Sequence, residues 1–388
     1  MRVLVAGWIG STNLGDELVF AGLRRLLAEQ GAQVAAISRD PAATRRLHGV
    51  GAVADTDVAG LWRAIGSADA MVFGGGGLLQ DTTSPFNLPY HLSRPLLARL
   101  RGLPVAGVGL GAGALDTRLG KLLVRGGLGH LEAITVRDRQ SQELLRELGV
   151  EGVELATDLA FALEPAAPDR IDAARAAEPP GGQELPPGQD AASGNGVLAV
   201  CLRPWSGQRG KLPAQARSDD TPQPQVEVLA VALDRIVAET GLGVRFVAFQ
   251  ADRDDAVHRR TAALMTTGRV EFVTADLDGV VEELARAAAV ISMRYHGGIA
   301  ATLAGRPVVL IDYAPKVTSL AAELGAGAQL LAWEPEQLAR LPGALAAVRG
   351  RDADVVAARD ALRRRQAPHR AAISRLLEAA RSCTFRRW

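Results

Sequence analysis

The chain has 388 residues, of which 48% are hydrophobic and 22% charged, with a formal net charge of +1. Single hydrophobic cores stop growing below that length, so two domains are expected. With 44 basic residues against 43 acidic ones and only 4% aromatics, the chain lacks both the basic excess that releases counterions from nucleic acid and the stacking platforms that hold bases.

From the N-terminus, apolar runs at 2–6, 33–37, 68–73, 104–108 and 133–136 read as strands buried on both faces of a parallel sheet. Between them, 16–29, 90–101, 118–126 and 139–148 carry apolar residues at helical spacing. Strand alternating with helix predicts a doubly wound α/β domain over residues 1–165. Residues 166–195, with Pro179, Pro180, Pro186 and Pro187 set among glycines, bury too little to fold and read as a linker or surface insert. A second alternating series follows over 196–350, with strands at 197–201, 244–249, 270–273, 289–293 and 308–311. Its helices are predicted at 226–239, 254–265, 277–288 and 297–303. The predicted fold class is α/β, two Rossmann-like doubly wound domains facing a cleft, with a helical tail at 351–388.

That tail carries Arg363, Arg364, Arg365, Arg370, Arg375, Arg381, Arg386 and Arg387. It reads either as a packed helix with a solvated basic face or as a peripheral contact to an anionic membrane. No run approaches the length of a membrane span, and the apolar N-terminus meets Asp16 and Glu17 too soon for a signal-peptide core, so a cytoplasmic location is expected. Cys201 and Cys383 stand far apart without CxxC or histidine spacing, which predicts neither a disulfide framework nor a zinc site.

The candidate functional residues all follow predicted strands, where open α/β sheets bind ligands. After the first strand, Asn13, Gly15, Asp16 and Glu17 lie in a glycine-containing turn: Asn13 or Asp16 can cap the next helix, or Asp16 or Glu17 can take a proton from a hydroxyl. The spacing is neither GxGxxG nor that of a P-loop. After the third strand, Gly74, Gly75, Gly76 and Gly77 lead to Asp81. Four glycines imply either a backbone brought against a ligand or a bend at close contact. Arg137 ends the fifth strand, placed to grip a carboxylate or to pair with Asp138.

The last cluster is Arg294 and His296, before a helix opening on Gly297 and Gly298, with Lys316 after the following strand. Only Lys121, Lys211 and Lys316 are lysines, so an ammonium here suggests a site that needs a compact point charge. Cations near a helix N-terminus predict an anion site. No HExxH motif or carboxylate cluster predicts a metal.

The ordered motifs Asn13-Leu14-Gly15-Asp16-Glu17, residues 74–81, Val136-Arg137-Asp138 and Ser292-Met293-Arg294-Tyr295-His296 resemble those of the polysaccharide pyruvyl transferases. Within that family they are most similar to the branch acting on cell-wall polymers that anchor S-layer proteins. The resemblance implies a GT-B-like fold, phosphoenolpyruvate as donor without a cofactor, and a lipid-linked glycan acceptor that receives a ketal-linked pyruvate. It assigns donor binding to Arg137, His296 and Lys316, with Arg294 in the same motif. On this reading His296 is the acid or a phosphate ligand, and Asp16 or Glu17 activates the sugar hydroxyl. The rival readings are a GT-B nucleotide-sugar glycosyltransferase and a non-catalytic glycan- or anion-binding protein.

Overall fold

The computed structural model describes residues 1–81, 84, 86–166, 196–205, 221–267 and 269–385. The proline- and glycine-rich insert predicted at 166–195 lies, apart from Ala166, outside them. The chain divides into two compact units.

The first unit comprises Met1–Ser11, Asp16–Leu163 and Leu362–Trp388. Its strands are β1 (Arg2–Ala6), β2 (Gln33–Ser38), β3 (Gly51–Ala54), β4 (Ala70–Leu79), β5 (Val105–Ala112), β6 (Ile134–Val136) and β7 (Val153–Leu155). They form one sheet in the order β3-β2-β1-β4-β5-β6-β7 with every pair parallel. The order reverses between β1 and β4, the switch point of a doubly wound sheet. Alternation along the strands builds two core layers: Leu4, Met71, Phe73 and Val105 face one way, and Val3, Val5, Val72 and Ala106 the other.

Two predicted boundaries shift. β4 runs six residues past the predicted end at 73, through all four glycines, because Gly74 and Gly76 keep their pairing to Val108 and Leu110 of β5. Low intrinsic strand preference is overridden here by the neighbouring strand. The C-terminal segment is not a domain of its own: residues from Leu362 onward belong to the first unit. The helix Ala367–Phe385 buries Ile373, Leu376, Leu377 and Ala380 in the core layer that also holds Val3 and Val5. Four arginines of the C-terminal segment are engaged within the unit. Arg363 donates to the carbonyls of Phe161 and Leu163, Arg365 to Ala156, while Arg370 pairs with Glu29 and Arg375 with Glu154.

The second unit comprises Thr12–Gly15 and Glu164–Ala361. Strands β8 (Val197–Cys201), β9 (Gly243–Ala248), β10 (Val270–Thr274), β11 (Ala287–Ser292), β12 (Val308–Asp312) and β13 (Ala328–Ala332) form a second sheet in the order β10-β9-β8-β11-β12-β13. All its pairs are parallel, and the order reverses between β8 and β11. Among the described residues, no helix is long and apolar enough to cross a membrane.

Candidate functional site

The second sheet's switch point gathers the cationic cluster. Arg203 lies two residues beyond β8, His296 sits in the first turn of the helix Tyr295–Leu303 after β11, and Lys316 opens the helix Pro315–Leu324 after β12. Tyrosines tie the three together. Nζ of Lys316 is 5.5 Å from the ring centres of both Tyr295 and Tyr313. The His296 ring is 5.1 Å from that of Tyr295, centre to centre, and the Arg203 guanidinium stands 4.7 Å over Tyr313. Trp205 packs against Tyr313 at 5.5 Å between ring centres.

The phenol of Tyr313 reports the potential of this cluster. Burial alone would raise its pKa, but the positive charges of Lys316 and Arg203, a hydrogen bond from Arg203 and the charge of Arg294 bring it from 10.0 down to about 7. The surroundings of Tyr313 are thus strongly electropositive.

His296 is half-buried and held from the N-terminal loop. A Cβ at Gly15 would stand 2.8 Å from Cγ of the His296 ring, so only glycine lets the backbone of Thr12–Gly15 lie against the imidazole. The same tetrapeptide is anchored by the Leu14 amide, which donates to the Phe249 carbonyl at 2.8 Å, and by Gln250 Nε2, 3.1 Å from Thr12 Oγ1. Asn13 acts as a local cap, its Oδ1 accepting from the Gly15 amide at 3.2 Å.

Arg294, predicted as a donor ligand, is buried and clamped on Asp254. Its Nε is 3.1 Å from Oδ2, and Nη2 bonds Oδ1 and reaches Oε1 of Gln250 at 3.4 Å. Asp254, fully buried, also accepts the amides of Phe249 and Gln250 at 3.1 and 2.9 Å. The pair therefore fixes the chain after β9 and β11. Gly297 and Gly298 open the helix because side chains there would collide: an added Cβ would lie 3.3 Å from Cβ of Cys201 at the first, and 2.8 Å from Cδ2 of Leu310 at the second.

The remaining candidates lie in the first unit. Glu17 is buried, and one carboxylate oxygen accepts the amides of Gly10 and Ser11 at 2.9 and 3.0 Å while the other meets Nε2 of His48 at 2.7 Å. That carboxylate organises the loop after β1. Asp16 is half-buried, with Oδ2 3.4 Å from Ser11 Oγ. Arg137 is buried between two carboxylates, Nε 3.3 Å from Asp138 and Nη1 3.3 Å from Asp158. Its guanidinium lies on the backbone of β5, where a Cβ at Gly111 would come within 2.9 Å of Nε. Asp81 ties two segments by accepting the amides of Asp116 and Thr117 at 2.8 and 2.9 Å.

The glycine run resolves residue by residue. A Cβ at Gly75 would meet Leu159 Cδ1 at 2.9 Å and overlap Val19, which is close packing. Gly76 has φ of +93° and nothing within 4 Å of its would-be Cβ, which leaves its backbone face open. Sequence reasoning passed over Arg203, Trp205, Asp254 and the role of Tyr313. Arg203 obeys the strand-end rule used for the others, but its position just before a further proline- and charge-rich stretch hid it. Asp254 lies 40 residues from its partner Arg294 and leaves no local signal.

Against known proteins, the family model described as polysaccharide pyruvyl transferase matches residues 13–315. A search of curated proteins gave no match. Similar solved structures include a glycosyltransferase from Rickettsia africae ESF-5, at 12% identity and a TM-score of 0.59, covering 99% of this chain and 98% of that one. Anabaena Alr3699/HepE in complex with UDP is similar at 14% identity and a TM-score of 0.58, covering 98% and 100%. The UDP-GlcNAc 2-epimerase from Neisseria meningitidis bound to UDP-GlcNAc is similar at 10% identity and 0.55, covering 98% and 99%. At such identities the likeness is one of fold, the GT-B-like pairing of doubly wound sheets expected from the sequence.

Proposed function

The chain belongs to the polysaccharide pyruvyl transferase family, and from that premise we propose that it moves pyruvate from phosphoenolpyruvate onto a sugar of a lipid-linked cell-wall polysaccharide precursor, forming a cyclic ketal. The acceptor class we propose is the polymer that anchors S-layer proteins, and the place of reaction is the cytoplasmic side of the membrane. The observation that supports this reading best is the cationic cluster around Tyr313, built from Arg203 and Lys316 beside His296.

Phosphoenolpyruvate carries a carboxylate and a phosphate on three carbons. Lys316 supplies a compact charge to one anionic group, and Arg203 offers a fork to the other. Ketal formation needs a proton on C3 of the enol, attack of one sugar hydroxyl on C2, closure by a second hydroxyl, and departure of inorganic phosphate. His296 is the proposed acid at C3. Asp16 is the proposed base for the hydroxyl. The bonds that Glu17 and Arg294 already make within the fold favour positioning roles for both. Arg137, carried over as a donor ligand by family likeness, presents a cation already held in place by Asp138 and Asp158.

A second reading, transfer of a sugar from a nucleotide donor, draws support from the UDP-bound structures of similar fold. Incubation of the full chain with candidate glycolipids and phosphoenolpyruvate separates the two. Pyruvate added to the glycan by mass spectrometry, with acceptor-dependent release of phosphate, is expected. Consumption of UDP-sugar with phosphoenolpyruvate untouched would establish the second reading instead.

A further inference from the structure

Three helices of the first unit, Val58–Gly66, Asn87–Leu100 and Arg118–Leu128, insert apolar residues into one and the same core layer. They therefore cover one face of the sheet and turn their outer sides the same way. Those outer sides are unusually apolar. Val58 and Trp62, Leu96 and Leu100, and Leu119 and Leu122 are all exposed, Leu100 by 75% and Leu122 by 66%. The pairs recur at spacings of three or four, so each helix presents a stripe rather than a scattered residue. Soluble proteins seldom expose contiguous apolar faces without a partner for them.

The charged side chains on these three helices have one sign. Arg63, Arg118, Lys121 and Arg125 are exposed, and Arg101 lies 4.0 Å over the Trp62 ring. None of the three helices contains aspartate or glutamate, although the chain as a whole balances 44 basic residues against 43 acidic ones. Nearby carboxylates are engaged or lie on the flanks: Asp57 caps the first helix, Asp55 accepts from the Tyr90 hydroxyl of the second, Asp81 accepts the Asp116 and Thr117 amides at the start of the third, Asp116 precedes that helix, and Glu143 and Glu147 sit on the next helix, Arg139–Glu147.

We propose that this face docks on an anionic phospholipid bilayer, with Trp62, Leu96, Leu100, Leu119 and Leu122 entering the interface and the cations reaching the headgroups. Leucines and a tryptophan beneath a rim of arginine and lysine form the pattern of a surface-bound amphipathic element. Lys121 can run its methylenes along the apolar layer while its ammonium stays at the headgroups. The proposal stands apart from the donor reading and replaces the basic C-terminal segment as the membrane contact, since Arg363 and Arg365 of that segment already donate to carbonyls of the first unit while Arg370 and Arg375 pair with Glu29 and Glu154.

Cosedimentation of the full chain with vesicles tests this. The protein is expected to pellet with phosphatidylglycerol–phosphatidylcholine vesicles and to stay in solution with phosphatidylcholine alone. The double variant Leu100→Glu/Leu122→Glu should lower partitioning about tenfold or more at unchanged melting temperature, and Arg118→Glu/Lys121→Glu should weaken binding to the anionic vesicles alone. Arg364→Glu/Arg381→Glu, on exposed positions of the C-terminal helices, should leave binding intact. Equal binding by all variants, loss with the C-terminal pair only, or no binding to anionic vesicles would overturn the proposal. So would self-association in sedimentation velocity that the leucine variant abolishes, because the face would then pair with a second copy.

Discussion

Lys316 stands where its own helix disfavours it. In the first turn of Pro315–Leu324 the helix dipole repels a cation by roughly 0.3–1 kcal/mol, a local conflict of the kind that marks functional positions. Lys316→Ala should relieve the helix and leave folding intact while lowering kcat/KM for the donor by about 10- to 100-fold, the range of one lost charge-assisted bond. The same variant should move the titration of Tyr313 upward. In the native protein, a tyrosinate absorbance change is expected with a midpoint at about 7, removed by Tyr313→Phe. The sign follows from linkage: a folded pKa below the unfolded 10.0 contributes stability that is complete above pH 10 and gone once the pH falls through about 7. The cluster at 294–316 was legible because strand-end position and the rarity of lysine are local facts. The clamp of Arg294 on Asp254 and the bracketing of Glu17 by Gly10, Ser11 and His48 were not, since a carboxylate's partners depend on which segments the fold brings together.

The elements show the same division between local and long-range information. Strands buried on both faces, such as β5 and β12, announce themselves as apolar runs. β3, β7 and β13 do not: GAVA, VEL and AQLLA are short, partly exposed edge or near-edge segments, defined by the neighbour they pair with. The C-terminal helix was legible as a helix but not in its destination, because an apolar stripe does not name the surface that receives it. Its packing is testable through Leu376, fully buried against the first sheet. Leu376→Ala should cost about 2–5 kcal/mol in denaturant unfolding, whereas Arg364→Ala on the exposed side should stay within about 0.5 kcal/mol.

On the scale of the whole molecule, buried imidazoles govern behaviour in acid. Burial lowers His91 and His369 from 6.5 to about 4 and His258 to about 3. The bonds around His369 suit the neutral ring: Nε2 donates to the Thr157 carbonyl at 2.8 Å, which leaves Nδ1 to accept from the Thr135 hydroxyl at 2.8 Å. These groups take up protons in the unfolded chain before the folded one. Their contribution to stability is thus complete above pH 6.5 and erodes as the pH falls toward 4, so unfolding midpoints should drop across that window. A midpoint that stays level from pH 6.5 to 4 would contradict the buried neutral histidines.

The return of residues from Leu362 onward to the first unit also sets an order of events during synthesis. Domains ordinarily condense as they emerge from the ribosome, the leading one first. Here the leading sheet stays unroofed on the side that Ile373, Leu376 and Leu377 will occupy until the segment from Leu362 onward has emerged. The trailing unit has its six strands in hand earlier. Chains truncated before Leu362 should therefore hold every segment of the second unit and a first unit with an open apolar flank, the species on which a chaperone would act.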